Sequence, residues 1–371
     1  MIESLKKLDK KFLIIAGCII FLPIFIIILL AILRAFGNRK ITHESYEEKM
    51  ISAAEKYITD KEKIPVNESQ VVTIKLEKMV EEGYIKSTEK YLDDQTCSGE
   101  VKVRRNGASV ETNNGGFLNY TVTLKCDDYQ TIHLVDKLKE QIVTQESGLY
   151  KVGEDYIFKG DQVKNYINLY GFSYRIMSID KNNILKLIKT EPEGTSRLWD
   201  NKYNSEIKYS YGKNIYKDSL ILKFLINDYE NAKKTNKKTK QKIVAYDVCI
   251  GKRNTNDKSI SKEVDCSALL ENQLISLMNA SDFAMASTDI DCTSIDSRSC
   301  RNYNYLYDVA YSSWTSNSVV ENTYEAFYIS DGILQHQNCN LYNEYNIVIH
   351  IDGEELYTEG KGTSAEPYII D

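Results

Sequence analysis

The chain has no Gly-rich phosphate loop, no His-Glu-x-x-His helix and no nucleophile elbow. Those absences remove the sequence signatures of P-loop nucleotide chemistry, zincin metalloproteases and α/β-hydrolases. Histidine is scarce: His43, His133, His336 and His350 are scattered along the chain. A basic excess is also missing. Lys+Arg is 47 against Asp+Glu 53, a net charge of −6, which disfavours nucleic-acid binding, since that needs a basic face. No repeat of 20–50 residues is visible, so solenoids and propellers are not expected. Proline occurs 4 times and lysine outnumbers arginine 38 to 9. That skew fits an AT-rich bacterial genome and says nothing about chemistry.

What is present sets the architecture. A length of 371 residues gives room for two or three domains. Hydrophobic residues at 42% and charged residues at 27% exclude both a disordered tail and a polytopic membrane protein. Phe12 to Leu33 carries no charge over 22 residues. As a helix it is about 33 Å long, enough to span the hydrocarbon core. The sequence therefore predicts a tail over 1–11 and one transmembrane helix over 12–36. The run is too long for a cleaved signal, and Arg34-Ala35-Phe36-Gly37 is a poor cleavage site, so it reads as an uncleaved signal anchor. Ile15-Ala16-Gly17-Cys18 looks like a lipobox. Too few apolar residues precede Cys18 for a lipoprotein signal, and it reads as a thiol in the bilayer. Lys6, Lys7, Lys10 and Lys11 precede the helix, and Arg34, Arg39 and Lys40 follow it, which favours a cytoplasmic N-terminus. Residues 1–40 carry +5, leaving −11 on the rest. An ectodomain of that sign is not held to anionic lipid or wall polymers by charge.

A first module is expected over 43–135. Tyr46, Met50, Ala54 and Tyr57 form one stripe of a helix from Glu44 to Thr59. A second helix is predicted over 73–82, with Thr73 as N-cap, a buried face of Leu76, Met79 and Val80, and Gly83 as the stop. Val101 and Val103 alternate, as do Tyr120, Val122 and Leu124, around a turn-rich Asn113-Asn114-Gly115-Gly116 loop. Pairing Val101 with Val122 sets Val103 opposite Tyr120 and Cys97 opposite Cys126, all on one face. The register that pairs the apolar residues thus predicts a Cys97–Cys126 disulfide and an oxidising compartment. The apolar N-terminal helix, Ala53-Ala54-Glu55-Lys56-Tyr57, Thr73 to Leu76, Glu82 to Ile85 and the small sheet together resemble the head of type IV pilins and pseudopilins. The prepilin cleavage site of that family is absent.

A second, strand-rich module is expected over 150–371. Phe172, Tyr174 and Ile176 alternate, Lys181-Asn182-Asn183 turns, and Ile184 to Ile188 returns. Ser219 to Asp228 reads as an amphipathic helix. Asp331-Gly332 marks a hairpin, and Ile347-Val348-Ile349 a buried strand. The mixture predicts an α+β fold. Phe172 to Ile176, Ser219 to Ile221 with Leu225 to Asn227, Leu274 to Ala286, Ser313-Trp314-Thr315, the Asp331-Gly332 hairpin and Gly362 to Tyr368 follow in an order that resembles bacterial surface domains related to the Fibrobacter major paralogous domain. That resemblance implies a C-type-lectin-like fold. Members carry Arg-Pro where this chain has Tyr345-Asn346.

Nearest-neighbour pairing of the remaining cysteines gives Cys249–Cys266 and Cys292–Cys300, with Cys339 odd; spacing alone leaves this connectivity open. His336 is three residues from Cys339, but an inert cysteine is the expected reading. Glu191-Pro192-Glu193 and Trp199-Asp200 lie too close together for a lectin calcium site. Asp289-Ile290-Asp291 starts like an EF-hand loop, yet Cys300 stands at position 12. The six lysines between Lys233 and Lys242 read as a solvated loop. Tyr303, Tyr305, Tyr307 and Tyr311, beside Asn and Ser residues, offer rigid apolar faces with polar tips and form the candidate ligand surface. No catalytic residue, metal or cofactor is expected. The sequence thus predicts a membrane-anchored surface protein with a non-catalytic binding ectodomain, its ligand a glycan, wall polymer or protein. A pilin-like structural subunit is the alternative.

Overall fold

A computed structural model describes residues 40–66, 70–92, 95–106, 116–192, 196–206, 211–231 and 237–370. The predicted tail and transmembrane helix, Cys18, Asn113 to Gly115, Glu193 and Lys233 lie outside the described residues. Among the described residues no helix is long and apolar enough to cross a membrane. The fold is α+β, with more sheet than helix. It divides into two compact units. In described residues, the first holds 40–62, 74–101 and 122–130; the second holds 63–73, 102–121 and everything from Thr131. The division crosses the two long strands Ser98–Asn106 and Phe117–Lys125.

The first unit begins with the helix His43–Asp60, capped by the Thr42 hydroxyl, which accepts from the Ser45 N–H. The four stripe residues Tyr46, Met50, Ala54 and Tyr57 are buried as their spacing requires. The second helix is shorter than expected. Val72–Lys75 is a strand and helix runs only over Leu76–Glu81. The β-branched run Val71-Val72-Thr73-Ile74 favours extended backbone and overrides the capping signal at Thr73. Val80 is only partly buried. Gly83 does end the helix, at φ +77°. Cys97 and Cys126 are bonded. A Cβ placed on Gly99 would stand 2.6 Å from the Thr123 carbonyl and 3.5 Å from the Leu124 Cα. That sets Gly99 against Leu124, the register in which Cys97 meets Cys126. Val101, Val103, Val122 and Leu124 are fully buried; Tyr120 is half-buried.

The second unit is built on an eight-stranded sheet. Its path runs Val348–Asp352, Ile184–Lys189, Phe172–Ile179, Tyr166–Leu169, Tyr368–Ile370, Tyr357–Glu359. The hairpin Gly148–Val152 and Asp155–Lys159 joins through Tyr156 and Ile157 to Phe172–Ile179. The C-terminal strand pairs parallel with Tyr166–Leu169, closing the unit's late chain onto its early chain. The edge strand Val348–Asp352 is buried throughout. Ser276 exchanges both backbone hydrogen bonds with Val348, and the Val244 N–H donates to the His350 carbonyl, so the edge is covered.

A second sheet, antiparallel throughout, comprises Ser312–Ser318, Glu325–Ser330 and Ile333–Asn338. Its hairpin turns at Asp331 and Gly332, both at positive φ (48° and 69°), as a two-residue primed turn demands. Trp314 is fully buried, its indole N–H donating to the Arg197 carbonyl. The helix Leu220–Asn231 supplies Ile221, Leu222 and Leu225 to one contiguous core that reaches from Leu134 to Ile370.

Candidate functional site

Segment 298–311 carries the four predicted tyrosines, and the structure separates them. Tyr305 is buried, which corrects its expected place on the ligand surface. Its N–H donates to the Gly160 carbonyl, and the Arg175 guanidinium lies 4.7 Å from its ring centroid. Burial pushes its phenol above the ordinary tyrosine range. Tyr305 lies in the turns that follow the 3-10 helix Arg298–Arg301, where the chain folds its side chain into the core.

The other tyrosines reach solvent. Tyr303 and Tyr311 are 62% and 54% exposed, and Tyr307 is partly exposed. Tyr307 and Tyr311 pack edge to face, with ring centroids 5.6 Å apart. The Tyr307 hydroxyl donates to Asp331 Oδ1 at 2.9 Å, which raises its pKa. Arg301 Nη1 lies 3.1 Å from Asp331 Oδ2. The Asp331 N–H in turn donates to the Tyr311 carbonyl. Gly332 lets Arg301 approach the hairpin, because a Cβ there would stand 2.5 Å from the Arg301 Cβ.

The segment is held from below. Cys292 and Cys300 are bonded, and the Asn304 amide donates to the carbonyls of Phe283 (2.7 Å) and Cys300 (2.6 Å). The result is a rigid aromatic pair flanked by a guanidinium and a carboxylate, able to stack on an apolar face and hydrogen-bond its polar rim.

Other expected positions serve structure. Cys249 bonds to Cys266, and Cys339 is free and buried, its thiol pushed well up by burial and then by Asp200. A thiol so raised is not an activated nucleophile. His336 lies 3.1 Å from Glu325 Oε2. Trp199 is in the core, and Asp200 accepts from the backbone N–H groups of Lys202, Lys213 and Leu220. Asp289 is engaged by the Asn302 amide and the Asp291 N–H, which lower its pKa. Among the described residues no group of three or more His, Cys, Asp or Glu is placed to hold a metal ion. The predicted solvated lysine loop is in part a helix, Lys237–Lys242. Lys242 is buried there against Glu355 at 2.7 Å.

The sequence reading missed a cleft within the larger unit. A cleft of about 430 Å³ is lined by Arg104, Asn106, Asn182, Ile184, Val244, Ala245 and Tyr246. Behind it lies a group of buried ionisable residues. Asp352, Glu355 and His350 are all nearly inaccessible. Desolvation pushes both carboxyls up, against the pull of Arg104 on Asp352 and Lys242 on Glu355, and pushes the imidazole well down. One signal existed: His350 interrupts the otherwise apolar run Ile347 to Ile351, and Asp352 follows it. Sequence pattern could not join them to Arg104 or Tyr246, more than 100 residues away.

Compared with protein-family models, with curated proteins and with solved structures, the chain matches none.

Proposed function

We propose that the chain is a bacterial cell-surface protein, anchored by Phe12 to Leu33 with the residues beyond Lys40 outside, whose ectodomain binds a glycan through the Tyr307–Tyr311 face. The observation that carries this reading is the fixed edge-to-face tyrosine pair, tied to Asp331 and Arg301 and mounted on a disulfide-pinned segment. Sugar rings present an apolar C–H face and a hydroxyl rim, and such a surface suits both with little ordering cost on the protein side. Three intramolecular disulfides fit an oxidising compartment outside the cytoplasm. The mixed eight-stranded sheet, the smaller antiparallel sheet and the buried Trp314 on it support a C-type-lectin-like arrangement for the second unit.

A second reading has its own observation. A long helix packed with a disulfide-bridged hairpin supports a pilin-like head, and with it a structural subunit.

Capture of envelope glycans and proteins by residues 40–371 separates the two. Saturable glycan capture that falls at least tenfold in Tyr307→Ala/Tyr311→Ala supports the first. Self-assembly into fibres without glycan capture supports the second. Protease accessibility on intact cells tests the topology: digestion beyond Lys40 is expected, and protection until lysis contradicts it.

A further inference from the structure

The cleft at Arg104 is remote in sequence from the tyrosine segment and has a different chemistry. Its polar wall is Arg104, Asn106, Asn182 and Tyr246; its apolar wall is Ile184, Val244 and Ala245. A volume of about 430 Å³ lies in the range of small-molecule sites. The walls are fixed. The Tyr246 ring stacks on His350 at 4.1 Å and its hydroxyl donates to Asp180 Oδ2 at 3.0 Å. The Asn106 amide donates to the Gln241 carbonyl at 2.9 Å.

Arg104 is ion-paired with Asp352 but is not fully satisfied by it. Its Nε lies 2.9 Å from Asp352 Oδ2, yet the two are misaligned, and both atoms are buried without a hydrogen bond. Buried polar atoms left without a hydrogen bond in this way are rare and call for an explanation. Among the described residues no other acidic side chain pairs with this guanidinium. The neighbouring charges are committed elsewhere: Lys102 to Glu354 at 2.6 Å and Lys242 to Glu355 at 2.7 Å.

We propose that this cleft binds a small monocarboxylate with a short apolar body. The carboxylate takes the guanidinium fork of Arg104, which matches its planar geometry. The apolar body lies against Ile184, Val244 and Ala245. The charge of the ligand is limited to one. Asp352 and Asp180 stand close to the same guanidinium and tyrosine, so a phosphate dianion meets repulsion that a monoanion meets to half the extent.

The test is isothermal titration of the full-length chain in non-ionic detergent with sodium butyrate, sodium lactate and inorganic phosphate at constant ionic strength. Saturable binding of butyrate and lactate is expected, with phosphate at least tenfold weaker. Arg104→Gln should weaken carboxylate binding at least tenfold. Because that variant strands Asp352, Ala245→Phe is the second test. It fills the apolar wall, leaves the Arg104–Asp352 pair in place, and should also cost at least tenfold. Tyr307→Ala/Tyr311→Ala should bind butyrate as the parent does, which keeps this site separable from the glycan reading. Absence of saturable carboxylate binding, equal binding of phosphate, or undiminished binding in folded Ala245→Phe would overturn the proposal.

Discussion

The two units solve the same stability problem in different ways. The first packs a small core, Tyr46, Met50, Ala54, Tyr57, Met79, Val122 and Leu124 among it, and closes its hairpin with a disulfide spanning 29 residues. Its ion pairs, such as Lys61–Glu82 and Lys75–Glu100, lie at the surface. The second has one contiguous core and buries charges in it: Arg253 with Asp265, and Lys242 with Glu355. A small module exposes a large fraction of its surface and gains most from a covalent constraint on the unfolded chain. A large one can carry desolvated ion pairs, which do not stabilise it on balance but punish the loss of one partner.

One of the two largest effects should come from such a loss. Asp265→Ala leaves the buried Arg253 guanidinium with only the more distant carboxylate of Asp257, at 3.6 Å, and should destabilise the second unit by about 3 kcal/mol. Denaturant unfolding measures it. A cost near zero would mean that Arg253 reaches water and that the contrast between the units is overstated.

The other belongs to the hairpin disulfide. Cys97→Ser should destabilise the first unit by about 3–4 kcal/mol in the chain-entropy model. Cys126→Ser should match it, and the double variant should be no worse than either, because the two residues act as one. Hydrogen exchange at the amides of Met50 to Tyr57 reads this unit alone. Additive losses, or protection unchanged, would break the argument that the small core leans on its bridge.

A pH dependence should belong to the second unit. Burial depresses the folded pKa of His350 well below 6.5. The unfolded imidazole therefore binds a proton that the folded one refuses. Stability is retained above pH 6.5 and lost as pH falls below it, with a limiting slope of about 1.4 kcal/mol per pH unit. His350→Phe should remove that slope. The burial-raised carboxyls Asp265, Asp352 and Glu355 work in the opposite sense, adding stability as pH falls through their folded range. The parent-minus-variant difference isolates the histidine, and an unchanged profile would show that His350 is solvated.

The smallest effect is expected at the surface of the first unit. Glu82 bridges Lys61 at 2.7 Å and Lys78 at 3.1 Å. Exposed pairs of this kind contribute little, and Glu82→Gln should leave the unfolding midpoint where it was.

How much of this was legible in the sequence follows from which interactions are local. The helix stripe from Tyr46 to Tyr57, the stop at Gly83 and the Asp331-Gly332 turn each obey a period or a backbone requirement within a few residues. The Cys97–Cys126 bridge was legible because strand alternation makes one register satisfy both the valines and the sulfurs. The strand at Val72–Lys75 was misread because a capping signal and a β-branched run compete over the same residues. Tyr305 was misplaced because its burial depends on Arg175 and Gly160, far back in the chain. The cleft at Arg104 was not legible at all. Its walls come from residues near 104, 182 and 245, and no short-range pattern links them.

Glycan titration of residues 40–371 followed by NMR tests the tyrosine face most directly. A captured envelope glycan should perturb Arg301, Tyr307, Tyr311 and Asp331 together, and Tyr307→Ala/Tyr311→Ala should abolish the response while the Cys292–Cys300 bridge stays intact. Perturbation confined to other surfaces, or full binding by the double variant, would contradict the glycan reading.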